Sequence, residues 1–242
     1  MAYSGSWGSA DRMRFEGLLV PATFLARPNR FLGVVRVGSR EALCFIPNPG
    51  RMGELLHPDA EVYLIERGSK ARRTRYDLIV VDLEGMLVSV DSRVPNVVVS
   101  EAIEAGGIPE FSGLSIERKE LPFGDSRLDF QLMGDSGQLL LEVKSCTLVR
   151  NGTAIFPDAP TARGTRHLRS LVDGLSMGRS AVFFLIQRPD AVSLRPNDLT
   201  DPVFGLNLRE AFKKGVEVHA YNSEVTLEGV SIKQRVPVLL DP

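Results

Sequence analysis

Cysteine is almost missing from this 242-residue chain: Cys44 and Cys146 are its two, far apart and in no zinc or redox spacing. A disulfide-built or zinc-built fold is thereby excluded, and a reducing cytoplasm is the natural home. The three histidines, His57, His167 and His219, are likewise too scattered for a zinc site. Long apolar runs are also lacking. The longest strongly apolar stretch, 181–186, cannot span a bilayer, and residues 1–11, rich in Gly, Ser and Ala, contain no signal-peptide core. No membrane partner is expected. Nor is there an excess of charge of one sign, since 29 basic and 30 acidic residues leave a net charge of -1. Overall electrostatics therefore do not announce a nucleic-acid binder, and any such case rests on local charge. Aromatic residues, at 7%, offer few stacking platforms; Phe31, Phe45 and Tyr63 are the candidates in the first half.

What is present is ordinary globular material, 43% hydrophobic and 24% charged, enough for a core without staples. The length suits two modest domains. Between residues 15 and 91 short apolar runs (18–20, 31–37, 42–46, 61–65, 76–81 and 86–90) alternate with turn chemistry such as Arg27-Pro28-Asn29-Arg30 and Pro47-Asn48-Pro49-Gly50. This spacing predicts a compact antiparallel β-barrel of OB type over 14–91, with a plain structural β domain as the alternative. Over 92–242 the pattern becomes α+β: a helix capped by Asn96 and ended by Gly106-Gly107, strands at 114–121, 128–133 and 139–143, a helix capped by Thr161, a buried strand at 181–187, a helix at 204–214 and a strand at 216–221.

Chemistry concentrates around the hairpin at 134–137. If this is a four-residue loop, residues whose numbers sum to 271 stand opposite one another, and Asp129 and Glu142 are such a pair. Directly opposed side chains lie about 4.5–5.5 Å apart, so both carboxylates could hold one cation. Glu142 and Lys144 point the same way on their strand, adding an ammonium to the group. Two carboxylates suffice for Mg²⁺ or Mn²⁺ when water and substrate phosphate complete the shell. Such an ion activates water and polarises phosphorus, while Lys144 orients the nucleophile or offsets developing charge. The same Glu-x-Lys spacing also arises in a solvated strand pair. Downstream, Arg163, Arg166 and His167 fall at i, i+3 and i+4 on the helix opened by Thr161, a basic face near exposed helix amides. In the first half, Arg67, Lys70, Arg72, Arg73 and Arg75 form the densest cationic run.

Taken together, Arg127-Leu128-Asp129-Phe130, Glu142-Val143-Lys144-Ser145 and Phe156-Pro157-Asp158-Ala159-Pro160-Thr161, with Arg163-Gly164 and His167-Leu168, resemble the sugar fermentation stimulation protein A family. Pro47-Asn48-Pro49-Gly50-Arg51-Met52 and Gly215-Val216-Glu217-Val218 extend the likeness over most of the chain. The resemblance implies an N-terminal OB-like barrel followed by a mixed-sheet domain similar to the PD-(D/E)XK nucleases, in a DNA-binding family linked to control of sugar-utilisation genes. It implies metal-binding and catalytic roles for Asp129 and Glu142 and a catalytic role for Lys144. Glu101, with Glu104 as second choice, is the candidate acid from the preceding helix. The expected DNA contacts are Arg51, Lys70, Arg72, Arg73, Arg75, Arg163, Arg166 and His167. Leu128 stands where the superfamily's proline would be. A metal-dependent nuclease and a non-catalytic DNA-binding regulator are both consistent with these residues, and association into a homo-oligomer is left open.

Overall fold

The computed structural model describes residues 13–68, 72–135 and 137–241. After a two-residue strand β1 (Met13–Arg14) come β2 (Leu19–Asn29), β3 (Leu32–Val37), β4 (Arg40–Phe45), β5 (Glu61–Glu66), β6 (Tyr76–Leu83) and β7 (Met86–Ser89). They pair in the order β4-β3-β2-β5-β6-β7, and a parallel pairing of β4 with β6 closes β2–β6 into the five-stranded OB-type barrel. Its core includes Phe24, Val35, Cys44, Ile46, Val62 and Leu64. Packing there is tight enough that a Cβ on Gly33 would stand 2.7 Å from Cys44 Sγ.

One strand departs from the expected pattern. β2 runs 11 residues and contains both Pro21 and Pro28, so the turn falls at Arg30 and Phe31 instead of at 27–30. The register shift between Ala26 and Asn29 in its pairing with β3 accommodates Pro28, because irregular ladder positions tolerate a residue without an N–H.

The second half comprises α1 (Val94–Glu104), β8 (Leu114–Phe123), β9 (Ser126–Gly134), β10 (Gly137–Cys146), β11 (Val149–Arg150), β12 (Thr153–Phe156), α2 (Ala162–Gly174), β13 (Arg179–Ile186), β14 (Ser193–Pro196), α3 (Pro202–Lys213), β15 (Glu217–Val225) and β16 (Gly229–Arg235). A seven-stranded mixed sheet has the order β1-β16-β15-β13-β10-β9-β8, and β11, β12 and β14 form a separate small sheet. The central β10, β13 and β15 are parallel, joined by helical crossovers, which is why they read as near-continuous apolar runs. α2 and α3 cover one face through Leu168, Leu171, Phe204 and Leu208. On the other face α1 packs with Ile79 and Val80 of β6, so the barrel itself helps to bury the sheet. β6 is thus buried on both sides, with Leu78 and Val81 in the barrel core. Arg14, expected within the barrel segment, instead pairs with β16. Neither that edge, nor β16, nor the small sheet was anticipated.

α1 starts two residues earlier than Asn96. Pro95 occupies its first turn, Arg93 flanks it without a side-chain cap, and Asp91 organises the entry by accepting from Arg93 N at 2.9 Å. Asn96 is thereby freed from capping. Thr161 does cap α2, its hydroxyl accepting from Gly164 N at 2.9 Å. No helix among the described residues is long and apolar enough to cross a membrane.

Candidate metal and nucleic-acid site

Asp129, Glu142 and Lys144 line one cleft of about 800 Å³, whose walls come from the barrel (Arg30 and Asn48 to Gly50) and from the second half of the chain. The β9–β10 ladder follows the expected register from Gly134 opposite Gly137 to Phe130 opposite Leu141 and ends there. Asp129 and Glu142 are therefore not a ladder pair. Asp129 instead turns its carboxylate onto the next strand, where Oδ2 accepts from Val143 N at 2.8 Å, while Oδ1 accepts from Asn96 Nδ2 at 2.8 Å. Across from it in β8, Glu120 has a left-handed φ of 56°, a bend that ordinary strand residues avoid.

Glu142 is buried, its side chain 3% exposed. Lys144 Nζ and His167 Nδ1 both donate to its Oε1. His167 Nε2 accepts from Arg163 Nε at 3.3 Å, which requires the neutral ring to carry its proton on Nδ1. Both donors thus converge on one carboxylate oxygen. The other, Oε2, is buried without a hydrogen-bond partner among the described residues. Burial, and next the charge of Glu142, push the Asp129 carboxyl up to about 6 against the pull of Val143 N–H, Lys144 and Asn96. Burial opposes ionisation of Glu142 too, but Lys144 and His167 outweigh it and hold this carboxyl below its usual range.

A bare, buried carboxylate oxygen beside a second carboxylate is costly unless a cation or donor meets it. The donor set fits a hard divalent ion, with oxygen ligands only and room left for water or a substrate oxygen. Among the described residues no group of three or more His, Cys, Asp and Glu side chains is arranged to hold a metal, so the protein's side-chain share would be these two carboxylates.

Glu101, expected as the helical acid, does not line the cleft; burial and then Glu104 push its carboxyl up, with Lys119 opposing. α1 presents Asn96 in its place. Pro95, marking a first helical turn, was the signal that Asn96 lies inside the helix rather than at its cap. His167, expected on an exposed basic face, is only 2% exposed and belongs to the Glu142 network. It shares the buried stripe of Gly164, Leu168 and Leu171, a periodicity legible in the sequence. Gly164 is required there, since a Cβ would meet the Thr161 side chain at 2.8 Å and Phe204 at 3.2 Å. Arg163 lines the cleft; Arg166 is exposed on α2 outside it.

The basic run of the first half is largely occupied. Arg67 and Arg72 both fold back onto Asp77, which is 1% exposed, and Arg93 approaches the same carboxylate at 3.6 Å. A carboxylate buried in an apolar strand must be met by cations, and the neighbouring arginines meet it. Arg75 pairs with Glu66 at 2.8 Å and lies over the Tyr76 ring. Arg73 is exposed, as is Arg51, and Lys70 lies outside the described residues. The cleft gains cations that the sequence did not single out: Arg30, Arg93 and Arg127.

The barrel wall is tied to the wall that carries Asp129 and Glu142. Asp158 Oδ2 accepts from Met52 N at 2.6 Å, Asn48 Nδ2 donates to Val90 O, and Ser92 Oγ donates to Pro47 O. The first and third of these bonds cross between the two halves, and together the three hold the 47–52 segment, part of which lines the cleft.

Comparison with known proteins agrees with this two-part architecture. Residues 25–90 match the family model described as the SfsA N-terminal OB domain, and residues 93–229 the one described as the sugar fermentation stimulation protein RE domain. A sugar fermentation stimulation protein homolog of Moorella thermoacetica is 46% identical over 92% of this chain and 96% of its own. Another, from Desulforamulus reducens, is 43% identical over 92% and 93%. The solved structure of Pyrococcus furiosus SfsA in complex with Ca²⁺ superposes with a TM-score of 0.86 at 30% identity, covering 94% of this chain and 99% of that one.

Proposed function

This chain belongs to the sugar fermentation stimulation protein family, and from that premise we propose that it binds DNA and hydrolyses phosphodiester bonds at a divalent-metal site formed by Asp129 and Glu142, with Lys144 beside them. The observation that carries this reading is the buried Oε2 of Glu142, without a hydrogen-bond partner among the described residues, in a carboxylate near enough to Asp129 for the two charges to act on each other. The Ca²⁺ named with the Pyrococcus furiosus relative supports a divalent cation, and Mg²⁺ or Mn²⁺ is the expected working ion. The arrangement of Asp129 with Glu142-x-Lys144 is that of the PD-(D/E)XK nucleases, which the resemblance already suggested.

A bound cation supplies charge stabilisation at the scissile phosphate and acidifies the attacking water. The chain's own residues do the rest. Asn96 and the Val143 N–H hold the Asp129 carboxylate in one orientation. His167 and Lys144 fix Glu142 through Oε1 and leave Oε2 to face a ligand. Lys144, partly exposed at 11%, can set its ammonium against the negative charge that develops on phosphate oxygens. The two free, buried cysteines are in keeping with a reducing cytoplasm.

The test is incubation of the protein with single-stranded, duplex and branched DNA in Mg²⁺ or Mn²⁺. Cleavage lost both with EDTA and in Glu142→Gln is the expected result. DNA binding with no cleavage under any of these conditions overturns catalysis and leaves the non-catalytic DNA-binding regulator.

A further inference from the structure

Resting on DNA as the ligand, we propose that the stacked Phe31–Phe45 pair on the barrel is a base-stacking platform, continuous through Arg30 with the Asp129–Glu142 cleft, so that the substrate is DNA with unpaired bases.

Phe31 is 44% exposed, and its ring stacks on Phe45 with centroids 6.1 Å apart and planes at 27°. Leu43, 39% exposed, lies on the same outward face of β4 as Phe45, while Cys44 and Ile46 point into the barrel core. Large apolar side chains clustered on the wet face of a small barrel mark a contact surface. The turn that carries Phe31 is held rigid. Asn29 Oδ1 accepts from Phe31 N at 3.0 Å, Ile46 N donates to Phe31 O at 2.9 Å, and the Arg27 guanidinium donates to the carbonyls of Arg30, Asn48 and Arg51.

Charge gives the platform its direction. Arg30, next to Phe31, lines the cleft from the barrel side, and Arg163 lines it from the N-terminal turn of α2. Among the described residues neither has a carboxylate partner, whereas Arg93 is paired with Asp91 and Arg127 with Glu120. Two unneutralised guanidiniums on opposite walls, flanking the carboxylates, define a track for a phosphate backbone. An aromatic face beside that track can stack only on a base whose own face is free, and in a duplex those faces are covered by neighbouring pairs. The same surface with no arginines would suit a protein partner; the arginines favour DNA.

Fluorescence anisotropy on the full chain tests this, using a labelled single-stranded oligonucleotide and the duplex of the same sequence in Ca²⁺ at low salt. Single strands should bind more tightly than duplex. Phe31→Ala should weaken single-strand binding about tenfold and leave duplex binding nearly unchanged, with Phe31→Trp restoring it. Because Phe31 is exposed, the alanine opens no core. Equal tightness for both DNA forms, with Phe31→Ala neutral or lowering both alike, overturns the platform while DNA remains the ligand; that result would leave the apolar pair to a protein partner. Failure of the wild type to bind either DNA form overturns the underlying reading as well.

Discussion

Asp129→Asn should stabilise the metal-free protein at neutral pH. The carboxyl titrates near 6 in the fold, against about 3.9 for an unconstrained aspartate, because burial and Glu142 disfavour its charge. A raised folded value means that the folded state holds the proton more tightly than the unfolded chain. This contribution is fully present below about pH 4 and is lost as pH rises through about 6. The gap corresponds to about 3 kcal/mol, and the residue's partial contact with solvent reduces the expected effect to about 1–2 kcal/mol. Asparagine removes the charge while keeping the shape. Its carbonyl accepts from Val143 N, and the Asn96 amide turns over to accept from its NH₂, so neither donor is stranded. Thermal unfolding in EDTA should show the variant about 3–6 °C above wild type at about pH 8. The difference should close as pH falls below about 4, where Asp129 becomes neutral in both states. Adding Ca²⁺ or Mg²⁺ should reverse the order by stabilising wild type alone. A variant less stable than wild type in EDTA at neutral pH, or a gap indifferent to pH, would refute the electrostatic account of the site.

On the proposed nuclease reading, Lys144→Met should lower single-turnover cleavage by about 10²-fold or more with little change in DNA affinity, because that reading sets the ammonium against developing charge. His167→Ala should weaken divalent-cation binding, measured by calorimetry, about 10–100-fold, and His167→Gln, which can still donate to Glu142, should recover part of it. Arg72→Ala should destabilise the fold by about 1–3 kcal/mol in urea unfolding by stripping a partner from buried Asp77, without altering the salt dependence of DNA binding. Arg73→Ala should do the opposite, leaving stability unchanged and reducing the salt slope by about 1.

The contrast between Arg72 and Arg73 shows where sequence reading reaches its limit. Five cations close together look alike in a string, and Arg67 and Arg72 are spoken for by Asp77, which arrives by burial in β6 and not by proximity in a loop. Strand spacing and turn chemistry were local, and they made the barrel and most of the mixed sheet legible. β2 escaped its expected end because Pro28 sits in an irregular stretch of its ladder with β3 that only pairing reveals. The small sheet joins β12 to the distant β14, and the β1–β16 edge joins opposite ends of the chain through a two-residue strand too short to carry a periodic signal.

Within the site the same division holds. Glu142 and Lys144 share a face because a strand alternates, a rule written in their spacing. Asp129 reaches them by another route. The ladder stops one pair short, and the side chain, held by Asn96 and the Val143 N–H, replaces the missing backbone partner. A strictly continued ladder would have set two carboxylates face to face with each oxygen spent on repulsion or solvent. Ending it early separates their tasks: Asp129 is anchored through both oxygens by neutral donors, and Glu142 is anchored through Oε1 alone by Lys144 and His167. The asymmetry leaves Oε2 of Glu142 as the one buried oxygen of the pair without a donor, and a cation is the ligand whose charge relieves both carboxylates at once.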